Sequence, residues 1–274
     1  MSGGSGSALY QDTGVLVRPR TLKNAPAPIR SRAQMMADAE ATASRLQVFS
    51  RDEFMGRRFR YGSGEHVTVI GPTGYGKTQL LDELSDAVIS PKLPQVVLAM
   101  KPRDKTMTAT IRNLDLKKTK DWPPPPSFGR PRGWAVWPKH TFDPEVDDIH
   151  LREVFRRAIL DSYKRGNRIV QADEFFGLVD LGLARHLVAL WTRGRSMDVG
   201  LWGGTQKPTH IPLHAYSQAS HLFLANDPTE AARKRFGEIG GVDPRIVEAA
   251  VRSLEKFQWL YIRREGARMC VVDK

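Results

Sequence analysis

An α/β fold, a mostly parallel sheet with helices on both faces, is predicted by two observations. Short apolar, β-branched runs recur at 66–70, 95–100, Arg168–Ala172, 199–203 and 221–225. Stretches with apolar residues at helical spacing lie between several of them, an alternation that calls for strand–helix–strand crossovers. The length of 274 residues and 41% hydrophobic content suit one large domain with an appendage.

In chain order, Arg18, Arg20, Lys23, Arg30 and Arg32 surround Pro19, Pro26 and Pro28, the pattern of an extended basic arm. Met35, Met36, Ala39, Leu46 and Phe49 then fit one amphipathic helix over about 31–54. The compact domain is expected to begin near Tyr61. The organisation predicted is an arm with a helix over 1–60 and the α/β domain over 61–274. The glycine-serine opening, Met1 to Ser7, is left out of the fold.

After the strand at 66–70 comes a helix beginning near Gln79, and Pro91 and Pro94 lead into the strand at 95–100. The rhythm breaks over 105–140. Lys117-Lys118-Thr119-Lys120, the run Pro123 to Pro126, and Arg130-Pro131-Arg132 read as a protruding basic insertion, from which Trp134-Ala135-Val136-Trp137 returns to the sheet as a short strand. Leu151, Val154, Phe155, Ala158 and Ile159 predict a helix over about 146–165, stopped by Gly166. A second helix fits 181–193. The tail, 256–262 and 268–272 around Gly266, predicts a closing β-hairpin.

Between the first strand and its helix stands Gly71-Pro72-Thr73-Gly74-Tyr75-Gly76-Lys77-Thr78, the phosphate-loop pattern G-x-x-x-x-G-K-[ST] in its proper strand–turn–helix setting. Glycines let the backbone wrap a polyphosphate, and N–H groups at the helix start point at the anion. Lys77 is placed to reach the β and γ phosphates of ATP, and Thr78 to offer its hydroxyl to Mg²⁺. Tyr75 fits either a stack on the nucleotide or a plain loop position. The fold class is thereby narrowed to a P-loop NTPase of RecA/ASCE-like type.

A phosphate loop needs a carboxylate on a neighbouring strand to hold the metal shell, and Asp173 follows the strand Arg168–Ala172. Glu174, next to it, is placed to polarise an attacking water. The pair points to a hydrolase rather than a kinase or a nucleotide-binding module. Gln171 interrupts the otherwise apolar strand.

Charge is informative by location. Residues 1–62 hold 10 Lys and Arg against 5 Asp and Glu, residues 101–140 hold 10 against 3, and the rest balances. A clustered basic excess is the footprint of a protein that touches a polyanion. No apolar run of membrane-spanning length and no signal-peptide pattern is seen, so a cytoplasmic location is expected. One cysteine, Cys270, excludes an internal disulfide and reads as a small buried side chain. His210 and His214 have a zinc-like spacing, but Pro208 and Pro212 argue against the helix it needs. Trp134, Trp137, Trp191 and Trp202 read as core or rim aromatics.

The segment Arg193-Gly194-Arg195 through Val199 to Thr205-Gln206-Lys207-Pro208 resembles the corresponding segment of the FtsK/HerA superfamily of ring-shaped DNA-pumping ATPases. The early phosphate loop, a Lys-Pro-x-Asp turn at Lys101 to Asp104, and the position of Asp173-Glu174 agree with that resemblance over roughly 61–240. It implies that Gln206 senses the γ-phosphate and that Arg195 is an arginine finger acting in a neighbouring subunit, with Arg193 the competitor. It further implies a homo-oligomeric ring, a hexamer, with double-stranded DNA through its centre. Two other readings fit: a viral packaging ATPase acting with a portal or membrane partner, and a nucleotide-dependent assembly or signalling switch.

Overall fold

A computed structural model describes residues 30–126, 129–206, 208–227, 229, 235–239 and 241–274. Among them the strands are β1 (Val48–Phe49), β2 (Val67–Ile70), β3 (Gln95–Leu98), β4 (Lys117–Thr119), β5 (Gly133–Val136), β6 (Arg168–Ala172), β7 (Val199–Thr205), β8 (His221–Leu224), β9 (Trp259–Arg263) and β10 (Arg268–Val272). They join one sheet in the order β1-β10-β9-β8-β2-β7-β6-β3-β5-β4. From β8 to β4 every pairing is parallel, and β9 and β10 form the expected antiparallel hairpin.

Both faces of the sheet are covered, which is why its strands read as apolar runs rather than alternating ones. On one face Val96, Leu98, Val170, Leu201, Leu222 and Leu224 pack in a core with the helices α4 (Pro144–Arg165), α5 (Ala184–Arg193) and α6 (Pro244–Ser253). On the other, Val67, Val69, Val97, Trp202 and Phe223 meet α2 (Lys77–Val88) and α3 (Lys105–Asn113). Leu222 and Phe223 thus take opposite faces, as the two-residue period of a strand requires. Gln171 is 1% exposed and belongs to a polar knot, accepting from Gln95 Nε2 at 2.6 Å and Ser85 Oγ at 3.2 Å. Its amide oxygen is satisfied inside the core, which explains its place in an apolar strand.

Three expectations are corrected. The single helix over 31–54 is instead α1 (Arg32–Ala43), capped by Ser31, followed by β1 and a short helical turn that Ser50 caps. Val48 and Phe49 pair in parallel with Val271 and Val272, so sheet formation overrides helical spacing there. Residues 48–59 therefore belong to the body, with Phe54 and Phe59 buried in its core. The basic segment 105–140 builds α3, β4 and β5 rather than a plain protrusion, because its apolar residues Met107, Leu114, Ala135 and Val136 are buried. Arg18, Arg20 and Lys23 lie outside the described residues, whereas Arg30 and Arg32 are exposed at the start of α1.

The helical stretch Phe175–Met197 is long and apolar enough to cross a membrane by length and composition alone. Leu178, Leu181, Leu187, Leu190 and Trp191 are buried in the core, and Gly182 breaks the stretch at φ +77°, so its apolar character is accounted for by packing. Trp191 and Trp202 are fully buried, and Cys270 is buried as expected.

Candidate active site

The carboxyl ends of the parallel strands carry the site. β7 lies between β2 and β6, and the register sets Ile70 level with Thr205 and Ala172 level with Gly203. Gly71 to Gly76, Gln206 and the pair Asp173-Glu174 therefore leave the sheet side by side. Ligands of open α/β sheets bind at this edge.

Gly74 and Gly76 sit at φ +77° and +83°, left-handed conformations that turn the loop back on itself before α2 begins at Lys77. Lys77 Nζ donates to the carbonyls of Gly71 and Pro72, each at 2.9 Å, which holds the ammonium over the loop. Its aliphatic stem passes Gly204, where a side chain would begin 3.5 Å from Lys77 Cδ. Burial pushes Lys77 below the ordinary lysine range, and the charges of Glu174 and Asp173 oppose that push.

Asp173 is 9% exposed at its side chain, and Lys101 Nζ lies 3.5 Å from its Oδ2. Burial raises its affinity for a proton, with Lys101 and Lys77 pulling the other way. Glu174 is also pushed up by burial, while hydrogen bonds from the Thr205 hydroxyl and the backbone N–H groups of Phe176 and Gln206 favour its charged form. Gln206 reaches across to the loop, where its Oε1 accepts from the Thr73 hydroxyl at 2.5 Å.

No family model and no curated protein sequence matches the chain. Solved structures do. The DNA-packaging ATPase B204 of Sulfolobus Turreted Icosahedral Virus superposes with a TM-score of 0.54 at 12% identity, over 77% of this chain and 98% of that one. The genome packaging NTPase B204 of Sulfolobus turreted icosahedral virus 2, in complex with ATP-gammaS, gives 0.52 at 12% identity over 77% and 98%. ATPases 2 and 3 of Thermomonospora curvata EccC, in complex with a signal sequence peptide, give 0.50 at 12% identity over 76% of this chain and 36% of that one. The chain has the fold of these P-loop NTPases.

In that fold the residues present suit both groups the motifs imply. A glycine loop with positive-φ turns and a half-buried lysine suits a polyphosphate. The Thr78 hydroxyl and the Asp173 carboxylate are hard oxygen donors, the set Mg²⁺ takes when phosphate oxygens and waters complete its shell. No cluster of three His, Cys, Asp or Glu is found among the described residues. Tyr75 is half-buried against the core beside the loop.

Arg195 stands apart from these residues. It precedes the first residue of β7, whereas Gln206 follows the last, and a seven-residue strand separates such ends by roughly 20 Å. Arg193 and Arg195 are exposed, and neither guanidinium makes a hydrogen bond or ion pair with the described residues. Neither reaches the site of its own chain.

Two contributors escaped the sequence reading, Lys101 against Asp173 and Thr205 against Glu174, as did the bond of the loop residue Thr73 to Gln206. For Lys101 a signal existed, since the Lys101 to Asp104 turn follows β3 directly. Its partner is set by β3 lying beside β6, which no local pattern states.

Proposed function

We propose that the chain is an ATPase that couples hydrolysis to movement of double-stranded DNA through a homo-oligomeric ring, a hexamer, in the cytoplasm. The observation that carries this reading is the convergence of the phosphate loop, the Asp173-Glu174 pair and Gln206 at one edge of the sheet. Water attacks the γ-phosphorus in line with the leaving oxygen. Glu174, half-buried and held by three hydrogen-bond donors, orients that water and accepts its proton. Lys77 leaves its loop carbonyls for phosphate oxygens, and Gln206 donates to the γ-phosphate from its seat on Thr73. Thr78 and Asp173 would hold Mg²⁺, which supplies charge neutralisation across the β and γ phosphates when bound.

Arg195, or Arg193, completes a neighbouring subunit's site as the arginine finger. The exposed guanidiniums at the sheet's far edge support that trans role, and with it the ring. A second reading is favoured by the likeness to B204, whose structures are of DNA- and genome-packaging proteins: a packaging ATPase that works with a portal.

The test is ATP turnover with and without duplex DNA over a range of salt. A DNA motor's turnover rises with duplex and that rise falls steeply with salt, because phosphate contacts release counterions. Turnover indifferent to duplex at all salt concentrations would point instead to the assembly or signalling switch.

A further inference from the structure

Beside the nucleotide site, the tips of the neighbouring strands β3, β5 and β4 gather exposed cations. Lys101, Arg103 and Lys105 follow β3, Lys118 and Lys120 lie at the end of β4, and Lys139 follows β5. The nearby acids are largely engaged: Asp104 caps α3 and meets Lys101 at 3.2 Å, Asp121 pairs with Arg157, and Asp147 is buried. The cationic tips are also tied to the site by consecutive contacts. Lys118 Nζ lies 3.9 Å from the centre of the Trp137 ring. Trp137 Nε1 donates to the Lys101 carbonyl at 2.8 Å, and Lys101 Nζ reaches Asp173 at 3.5 Å. Arg103 sits over the Phe142 ring at 5.6 Å, and Phe142, at φ +70°, is fixed by its N–H donating to Asp147 at 3.1 Å.

We propose that this edge holds the phosphate backbone of duplex DNA, and that Lys101 links its grip to the state of the nucleotide site. The inference rests on the DNA-motor reading above. A single nucleotide cannot account for the cations, since β4 stands five strands from β2, roughly 24 Å at sheet spacing. Base stacking cannot either: Trp137 is 7% exposed and covered by Lys118, so lysines and an arginine meet the ligand first, as in sequence-independent backbone contact. The patch differs from the one read in the sequence. Arg130 and Arg132 precede β5 at the opposite edge, and Arg132 is paired with Asp86 at 2.9 Å. The link follows from Asp173 having one pair of oxygens: a loaded site competes with Lys101 for them, and release of Lys101 shifts the turn that carries Arg103.

The experiment is fluorescence anisotropy of a labelled duplex, titrated at several salt concentrations with and without ATP-gammaS. Removing Lys105, Lys118, Lys120 and Lys139 together as Gln is expected to weaken duplex binding and to lower the salt slope by about 0.9 for each lysine that met a phosphate. Lys120→Gln alone, on an exposed side chain, is expected to lower it by about 0.9 and guards against misfolding of the fourfold variant. Lys101→Met is expected to erase the difference in duplex affinity between nucleotide-free and ATP-gammaS states, and an unaltered difference overturns the link. If the parent binds duplex and the variants match it in slope, the patch is overturned while the motor reading stands. If the parent binds no duplex at any salt, or prefers an acidic peptide, the motor reading itself fails. Single strands bound more tightly than duplex overturn the backbone contact.

Discussion

Glu65→Gln probes the buried ionic knot that braces the amino edge of the sheet, where the Arg195 segment sits. Glu65 Oε2 lies 2.9 Å from His221 Nε2, and its two oxygens accept from Arg263 at 3.1 and 2.7 Å. It also accepts from the Gly62 N–H at 2.6 Å, closing the turn whose Gly64 packs against the Arg195 backbone. Burial pushes the Glu65 carboxyl up, but the bonds from His221 and Gly62 and the Arg263 charge outweigh it and bring the pKa from 4.5 down to about 2. A carboxyl depressed on folding binds fewer protons in the native state than in the unfolded one. Its contribution is therefore full above the unfolded value and is lost as pH falls through the folded one.

With the side chain 7% exposed, the shift amounts to about 3 kcal/mol at pH 7 and about 2 kcal/mol at pH 3.5. Urea unfolding of the parent and Glu65→Gln at both pH values measures the gap. It is expected to shrink by about 1 kcal/mol on acidification. His221, pushed below the ordinary histidine value by burial, adds acid sensitivity, and Tyr261 holds its other nitrogen at 2.9 Å. A gap under about 1 kcal/mol at pH 7, or one that does not change with pH, refutes the reasoning.

Lys77→Ala is expected to abolish nucleotide binding or turnover, read by titration with a fluorescent ATP analogue and by phosphate release. Glu174→Gln keeps ATP binding and loses turnover by about 10²–10⁴, and hydrolysis at the parental rate would remove Glu174 as the base. Arg195→Ala subunits, inactive alone, regain turnover when mixed with Lys77→Ala subunits, because each supplies what the other lacks; no recovery at any ratio excludes the trans finger. Gln171→Leu removes the acceptor that the Gln95 amide and the Ser85 hydroxyl share inside the core and leaves them only their mutual bond at 2.9 Å, costing about 1–3 kcal/mol in chemical denaturation, and an unchanged midpoint would show the knot to be dispensable.

Gly71 to Thr78 and Asp173-Glu174 were legible in the chain because their chemistry is contiguous: a turn, a helix start and a strand end carry it without help from afar. The α/β class and the C-terminal hairpin were legible for the same reason, since periodicity is local. Helical spacing misled at Phe49, where pairing with β10 outweighed it. The basic segment misled by its charge, because its exposed lysines are more conspicuous in a sequence than the buried Met107, Leu114 and Ala135 that bind it to the sheet.

Identity of the phosphate loop, its lysine and the carboxylate pair thus belongs to the sequence, where neighbouring residues alone state it. Strand order and register belong to the tertiary structure, being contacts between segments far apart in the chain. Inserting β7 between β2 and β6 seats Gln206 on Thr73, placing β3 beside β6 brings Lys101 to Asp173, and the length of β7 sets Arg195 at the far edge.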